Sequence, residues 1–279
     1  MGLKASRTKA QWVQEWATVL GHTGAGDVYK LVLRAPEIAR RAVAGQFVEV
    51  RCVPDRATAI DPLLRRPFSL CEIDADRGQV SLIYRVVGRG TRALATIEPG
   101  TELDLMGPLG HSFPDPAVGS GRLVLVGGGL GIPPMVAAAV RARAVAGPDA
   151  RECIAVIGAR NEAYLAGARE LAETGVPVTV MTDDGSAGAR GLVTLPLSQL
   201  IELGQVGEVW ACGPEVMLKV VADLCRPSGI PCFVSVERHM ACGFGACIGC
   251  TVPKAEGLGY FKACQDGPVF PAEEVVLGG

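Results

Sequence analysis

Leu123-Val124-Leu125-Val126-Gly127-Gly128-Gly129-Leu130-Gly131-Ile132-Pro133-Pro134-Met135 decides the fold. Four apolar residues read as a buried strand, the glycines as a tight turn, and the run from Met135 to Ala146 as a helix. Leu123–Val140 carries no charge and is long enough to span a bilayer, but its glycines and its two prolines fit a strand, turn and helix far better than one spanning helix. A Gly-rich loop between a strand and a helix suits a nucleotide phosphate. Glycine lets the backbone approach the ligand, and the helix N-terminus favours negative charge. The loop is not G-x-G-x-x-G, and a plain strand–helix turn is the competing reading.

Downstream the alternation continues. Strands are expected at Cys153–Gly158, Val176–Met181, Val209–Cys212 and Cys232–Val236, with helices at Ala163–Glu173, Leu197–Leu203 and Glu215–Cys225. Alternating strands and helices predict a parallel sheet covered on both faces, with ligands at the carboxyl ends of the strands. Gly158-Ala159-Arg160, Thr182-Asp183-Asp184-Gly185 and Ala211-Cys212-Gly213-Pro214 lie at those ends.

Upstream the pattern is different. Trp12–Leu20, Val28–Leu33, Phe47–Val53, Phe68–Glu72, Val80–Val87 and Thr101–Met106 read as short strands, with one short helix over Thr91–Ile97. They predict a small antiparallel β-barrel. His111–Gly121 is a Pro/Gly-rich link. The expected domains are 12–110, 120–236 and a Gly- and Cys-rich tail, 237–279, that fits neither pattern.

The 279 residues carry a net charge of −2, which disfavours nucleic-acid binding through overall charge. No apolar signal segment opens the chain, so a cytoplasmic protein without a membrane span is expected. Met1–Ser6 matches a myristoylation pattern, but the pattern is short enough for chance. Ten cysteines are many for such a chain. Four of them, Cys242, Cys247, Cys250 and Cys264, follow C-x4-C-x2-C and then thirteen further residues before the last. The first part has the plant-type spacing of a [2Fe–2S] site. Gly243, Gly245 and Gly249 would let the chain wrap closely around a cluster. Zinc and unligated thiols are the alternatives, but zinc sites usually show paired C-x2-C knuckles and only one such pair is present. Cys52, Cys71, Cys153, Cys225 and Cys232 lie in apolar runs and read as buried thiols.

Arg66-Pro67-Phe68-Ser69, then Ile83-Tyr84-Arg85, then Gly90-Thr91, followed by the Gly-rich loop, resemble in order the ferredoxin–NADP reductase superfamily. Taken alone, Arg66 would be a solvated charge and Tyr84 ordinary strand packing. The resemblance implies an α+β multi-domain chain: an antiparallel β-barrel FAD domain, an α/β parallel-sheet nucleotide domain and a small C-terminal [2Fe–2S] domain. It implies that Arg66 faces the FAD pyrophosphate and Ser69 lies near flavin N5. Thr91, read as opening a short helix, would help hold phosphate. Gly127, Gly128, Gly129 and Gly131 would bind the nicotinamide dinucleotide, with Cys212 beside the nicotinamide. Asp183 and Asp184 would repel a 2′-phosphate and Arg160 could attract one, which favours NAD over NADP weakly.

Glu237–Cys250 and Cys264–Phe270 narrow the resemblance to the electron-transfer subunits of class 1B dihydroorotate dehydrogenases. That family implies an FMN-containing catalytic partner that oxidises dihydroorotate, in a heterotetramer. Electrons would run through the cluster and FAD to NAD⁺. The alternative is the small subunit of an NADH-dependent ferredoxin:NADP oxidoreductase or sulfide dehydrogenase. Residues 1 to about 11 extend beyond the family pattern and are expected to be disordered or to lie at the partner interface.

Overall fold

The computed structural model describes residues 11–53, 61–144 and 151–278, so the expectation for the first residues, and the end of the helix expected to reach Ala146, lie outside the described residues. The first half forms β1 (Val13–Ala25), β2 (Val28–Arg34), α1 (Pro36–Arg41), β3 (Phe47–Val50), β4 (Arg66–Ser69), β5 (Glu72–Asp74), β6 (Gln79–Arg85), α2 (Arg89–Leu94) and β7 (Glu102–Leu109). The seven strands make one curled antiparallel sheet in the order β4-β3-β7-β1-β2-β6-β5. Its two edge strands are successive in the chain, with only Leu70 and Cys71 between them. Leu70 N–H donates to the Gln46 carbonyl at 3.1 Å and Cys71 N–H to the Ser81 carbonyl at 2.9 Å. One bent strand therefore joins both edges, where the sequence predicts a single straight run over Phe68–Glu72. The alternation expected of a curled sheet sends Val48, Val50, Val80, Leu82 and Tyr84 into its core.

Two other differences have local causes. β1 runs past Leu20, where the expected strand ends, because Gly21 to Ala25 pair with β2, and the Tyr29 ring takes the space of a side chain at Gly24. α1 escapes the strand-based reading, although Pro36 at its first turn, Glu37 there and Arg40 and Arg41 in the last turn are good helix signals.

The second half forms β8 (Arg122–Gly128), α3 (Ile132–Ala144), β9 (Cys153–Ala159), α4 (Ala168–Glu173), β10 (Val178–Thr182), β11 (Ala189–Arg190), α5 (Thr194–Glu202), β12 (Val206–Cys212), α6 (Glu215–Cys225), β13 (Cys232–Ser235), β14 (Thr251–Pro253), β15 (Tyr260–Lys262) and β16 (Val269–Pro271). The main sheet has the order β11-β10-β9-β8-β12-β13-β16. Its strands are parallel except β16, which runs antiparallel to β13, so the Cys-rich tail is anchored in this sheet. The helix expected over Ala163–Glu173 is split. Gly167 at φ +84° interrupts it, and a methyl there would press on Pro133. Among the described residues no helix is long and apolar enough to cross a membrane. Leu123–Val140 is divided between β8, a short turn of 3₁₀ helix and α3.

The two halves are joined by charge. Lys30 on β2 lies 2.8 Å from Glu72 on β5 and 3.1 Å from the buried Glu170 on α4, which Arg169 also contacts at 2.9 Å. Burial pushes the Glu170 pKa up, but hydrogen bonds from Arg169 and Lys30 outweigh it and leave the carboxyl below its ordinary range. A depressed carboxyl pKa adds stability at neutral pH that is lost as pH falls through the folded-state value. Lys30→Met should therefore lower stability by about 1–3 kcal/mol near neutrality. Thermal unfolding followed down to about pH 3 should show that difference closing. A difference constant across the range would remove the ion pair as its cause.

Candidate functional site

Strand β4 and helix α2 bring the first group of predicted residues together. Arg66 lies over Gly90: a methyl on Gly90 would stand 3.0 Å from Arg66 Nε. The guanidinium donates to the Leu64 carbonyl at 2.7 Å and the Arg65 carbonyl at 3.1 Å, and among the described residues it has no ion pair. A cation held only by carbonyls beside a glycine has capacity for a phosphate. Helix α2 begins at Arg89, two residues before the expected start. Thr91 is therefore its third residue, and its Oγ1 accepts from Val87 N–H at 2.9 Å and Gly88 N–H at 3.1 Å. Its hydroxyl is committed to capping the helix it was expected to open.

Alternation sorts the remaining barrel residues. Phe68 and Tyr84 face inward with ring centroids 5.5 Å apart, and Tyr84 Oη meets His22 Nε2 at 2.9 Å. The Tyr84 ring is thus core packing, while Ile83 and Arg85 face the second half of the chain. Pro67 and Ser69 share the outward face of β4.

A cavity of about 640 Å³ opens at the carboxyl ends of the parallel strands. Its floor is Gly128 and Gly129 at the end of β8, Gly158–Arg160 at the end of β9 and Gly213–Pro214 after β12. From β8 the chain crosses through α3 to β9 and on outward to β11, then returns through α5 to β12 on the other side of β8, so this is the switch point at which such sheets bind ligands. Arg85 reaches in from the barrel. It lies 5.6 Å from the Tyr164 ring centre, with Arg160 at 4.8 Å. The glycines have distinct reasons. A methyl on Gly128 would stand 2.5 Å from Met217 Sδ, and one on Gly131 would overlap the Cys212 carbonyl. Gly129, at φ +55°, has open space where its side chain would be.

Four predicted residues stand back from this cavity: Gly127, packed against Ile132 and Met135, Gly131, packed against Cys212 and Gly213, and the pair Cys212 and Asp184. Cys212 is 2% exposed, and burial pushes its thiol up to about 12, so it is neutral at ordinary pH behind Gly213 and Pro214. Asp184 accepts hydrogen bonds from Ser186 N–H at 2.9 Å and Oγ at 2.6 Å and caps its own turn, leaving Asp183 on the cavity wall. Tyr164, Met217 and Glu237 join the wall without having been expected. Crowding against protein raises the Glu237 pKa, with Arg85 opposing that shift.

The four tail cysteines fall into two pairs. Cys250 Sγ and Cys264 Sγ are 3.2 Å apart, and Cys247 N–H donates to Cys242 Sγ at 3.4 Å. Burial raises the Cys242 pKa, but backbone N–H groups of Cys247, Phe244 and Ala246 aimed at its sulfur prevail and bring it down to about 7. Gly243 at φ +74° and Gly245 at φ +90° make the turn, and Ile248 at φ +59° is the one non-glycine among the described residues with positive φ. Among the described residues no three His, Cys, Asp or Glu side chains converge to hold one ion. Thiols paired in this way, with N–H groups directed at sulfur, suit a cluster with more than one iron. Cys52, Cys71, Cys153, Cys225 and Cys232 are all buried, as expected.

Glu49 was missed. It is fully buried between β4 and the cysteine loop, and among the described residues neither carboxylate oxygen has a hydrogen-bond partner. Burial pushes its pKa up to about 7 against the pull of Arg65 and Arg66. A lone acid in the run Phe47-Val48-Glu49-Val50 was the available signal.

Residues 237–276 match the family model for the iron-sulfur cluster binding domain of dihydroorotate dehydrogenase B. The chain is 43% identical over 254 residues to the dihydroorotate dehydrogenase B (NAD(+)) electron transfer subunit of Geobacillus thermodenitrificans, covering 89% of this chain and 93% of the relative. The subunit of the same description from Desulforamulus reducens is 35% identical over 254 residues, covering 90% and 94%. Among solved structures, that of an NADH-dependent reduced ferredoxin-NADP oxidoreductase superposes with a TM-score of 0.79 at 30% identity, covering 94% of this chain and 90% of that one. The cytochrome b5 reductase domain of Ulva prolifera nitrate reductase shares the fold, with a TM-score of 0.60 at 17% identity over 78% of this chain and 93% of that one.

Proposed function

Because the chain belongs to the family of dihydroorotate dehydrogenase B electron transfer subunits, we propose that it carries electrons from an FMN-containing, dihydroorotate-oxidising partner through a [2Fe–2S] cluster and FAD to NAD⁺. It is an oxidoreductase subunit of pyrimidine biosynthesis, a flavoprotein with an iron–sulfur cluster. The likeness to the ferredoxin-NADP oxidoreductase is compatible with this reading and does not favour the alternative drawn from the sequence.

The observation that carries the finer reading is the grouping of the four cysteines, with Cys250 Sγ beside Cys264 Sγ and the Cys247 N–H on Cys242 Sγ, which suits two ligands for each of two irons. When bound, the cluster passes electrons singly and the flavin combines two of them for hydride transfer. The chain's own residues supply position and electrostatics. Arg66 and Gly90 cradle the FAD phosphates, and Ser69 presents its hydroxyl on the outward face of β4. Gly128 and Gly129 let the dinucleotide approach the backbone. Asp183 on the wall favours a free 2′-hydroxyl, hence NAD. Cys212, buried and neutral, shapes the nicotinamide end from behind Gly213. Cys247, the most exposed of the four thiols, lies on the side open to a partner in the proposed heterotetramer.

The test is spectroscopic, then catalytic. Natively purified protein should show flavin and iron–sulfur absorbance that dithionite bleaches, and two irons per chain. With its partner it should reduce NAD⁺, in preference to NADP⁺, when given dihydroorotate. A colourless protein, or an intact complex that forms no orotate, would sink the reading.

A further inference from the structure

Strand β3 lies between β4 and β7 in the sheet, and its outward face meets the cysteine loop. Val48 and Val50 point into the barrel core, so Phe47 and Glu49 point out. Phe47 pairs with Ser69 and Glu49 with Pro67, which merges the outward faces of β3 and β4 into one surface. The tail closes over it. Phe47 packs in the same apolar cluster as Cys250 and Cys264. Gly243 lies directly on Glu49, since a methyl there would stand 2.6 Å from Glu49 Cγ.

The neighbouring cations act on Glu49 by charge alone and donate no hydrogen bond to it. Arg65 donates to the Asp104 carbonyl and carboxylate, and Arg66 to the carbonyls of Leu64 and Arg65. The Glu49 carboxyl is 0% exposed and has no hydrogen-bond donor among the described residues. A carboxyl so placed opposes folding, and an apolar residue of similar size would be the more stable choice. Its position against Gly243, the residue after Cys242, gives it another use.

We propose that Glu49 is a positioning residue of the electron path, whose carboxylate stands against the Cys242 end of the iron–sulfur cluster and lowers the cluster's reduction potential relative to the flavin's. This rests on the reading that the four tail cysteines hold the cluster and β4 the flavin. The sign follows from charge. An added electron makes the cluster more negative, and a nearby carboxylate in a low-dielectric setting opposes it. Each transfer removes one electron from the cluster and adds one to the flavin, and a lower cluster potential drives it that way. The cysteine loop lies directly on the Glu49 side chain, whereas the flavin strand stands beside it, one strand spacing of about 4.8 Å across the sheet, so the larger effect is expected on the cluster.

The test is Glu49→Gln in the full-length chain, with iron and flavin content measured first. The cluster midpoint is then read by EPR-monitored redox titration and the flavin midpoint optically, both at one alkaline pH. The cluster midpoint should rise, the flavin midpoint should move less, and Glu49→Asp should restore most of the native value. Glu49→Met removes the same charge with a different shape and decides the matter where the Gln variant loads poorly. An unchanged cluster midpoint in a loaded neutral variant, or equal shifts of both midpoints, overturns the proposal. Native protein free of iron and flavin would overturn the underlying reading instead.

Discussion

Replacing Cys247 with Ser should abolish electron transfer from the partner while NADH still reduces the bound flavin at close to the native rate. Cys247 is the informative ligand because it is exposed, whereas Cys250 and Cys264 are buried in a core shared with Phe47, Val252 and Phe270. Loss of either buried thiol would disturb packing and cluster together. Serine keeps the size of the side chain but offers a hard oxygen where iron–sulfur chemistry needs a soft thiolate. The loss should exceed the roughly 10–100-fold that outer-shell changes cost metal sites, because a ligand itself is removed. The nucleotide cleft should survive, because β16 holds the tail to β13 by strand pairing that does not depend on Cys247. Dihydroorotate-dependent NAD⁺ reduction and NADH-dependent flavin reduction, measured on the same preparation, separate the outcomes. Loss of both would make the cluster part of the fold as well as of the electron path.

The survival of one activity without the other depends on how the halves are built, and that was only partly legible in the sequence. The run from Leu123 to Met135 announces its strand, turn and helix because all three signals are local. The cysteine spacing is local too, since the chain must turn back on itself within a few residues to bring Cys242 and Cys247 together. Closure of the first sheet is different. It depends on Leu70 and Cys71 bonding to Gln46 and Ser81, partners that no periodicity names. The antiparallel docking of β16 on β13 is likewise a long-range choice.

At the site the same division holds. Ile83-Tyr84-Arg85 reads as one segment, yet a strand offers its residues to two faces. The inward series Val80, Leu82 and Tyr84 assigns Tyr84 to the core and leaves Arg85 for the cavity. Asp183 and Asp184 look equivalent until Ser186 takes the second as a turn cap. Glu49 was legible only as an acid in an apolar strand. What makes it notable is the Gly243 backbone lying against it, which the sequence places 194 positions away.

The Gly-rich loop permits a comparison that distinguishes folding from ligand approach. In Gly131→Ala the new methyl would overlap the Cys212 carbonyl and stand 2.5 Å from the Gly213 nitrogen. Both obstacles are backbone, so no side-chain rotation relieves them, and either the loop or the end of β12 must move. The cost should reach or pass the upper end of the ~1–3 kcal/mol typical of overpacking. In a chain of this size that lowers Tm by roughly 6–12 °C, and NADH reduction of the flavin should be lost with it. Gly129→Ala should behave differently. Its φ of +55° imposes a left-handed penalty of about 1–2 kcal/mol, and its methyl meets nothing of the protein within 4 Å. That methyl would stand in the cavity where the dinucleotide approaches the backbone. Flavin and iron content should therefore stay native while the KM for NADH rises by about tenfold, the equivalent of ~1.4 kcal/mol of lost binding. Differential scanning calorimetry and steady-state kinetics on both variants check the pair. An unchanged KM in Gly129→Ala would remove this loop from the dinucleotide site. A native Tm in Gly131→Ala would show that the loop and β12 can separate at little cost, leaving the glycine at 131 without a steric reason.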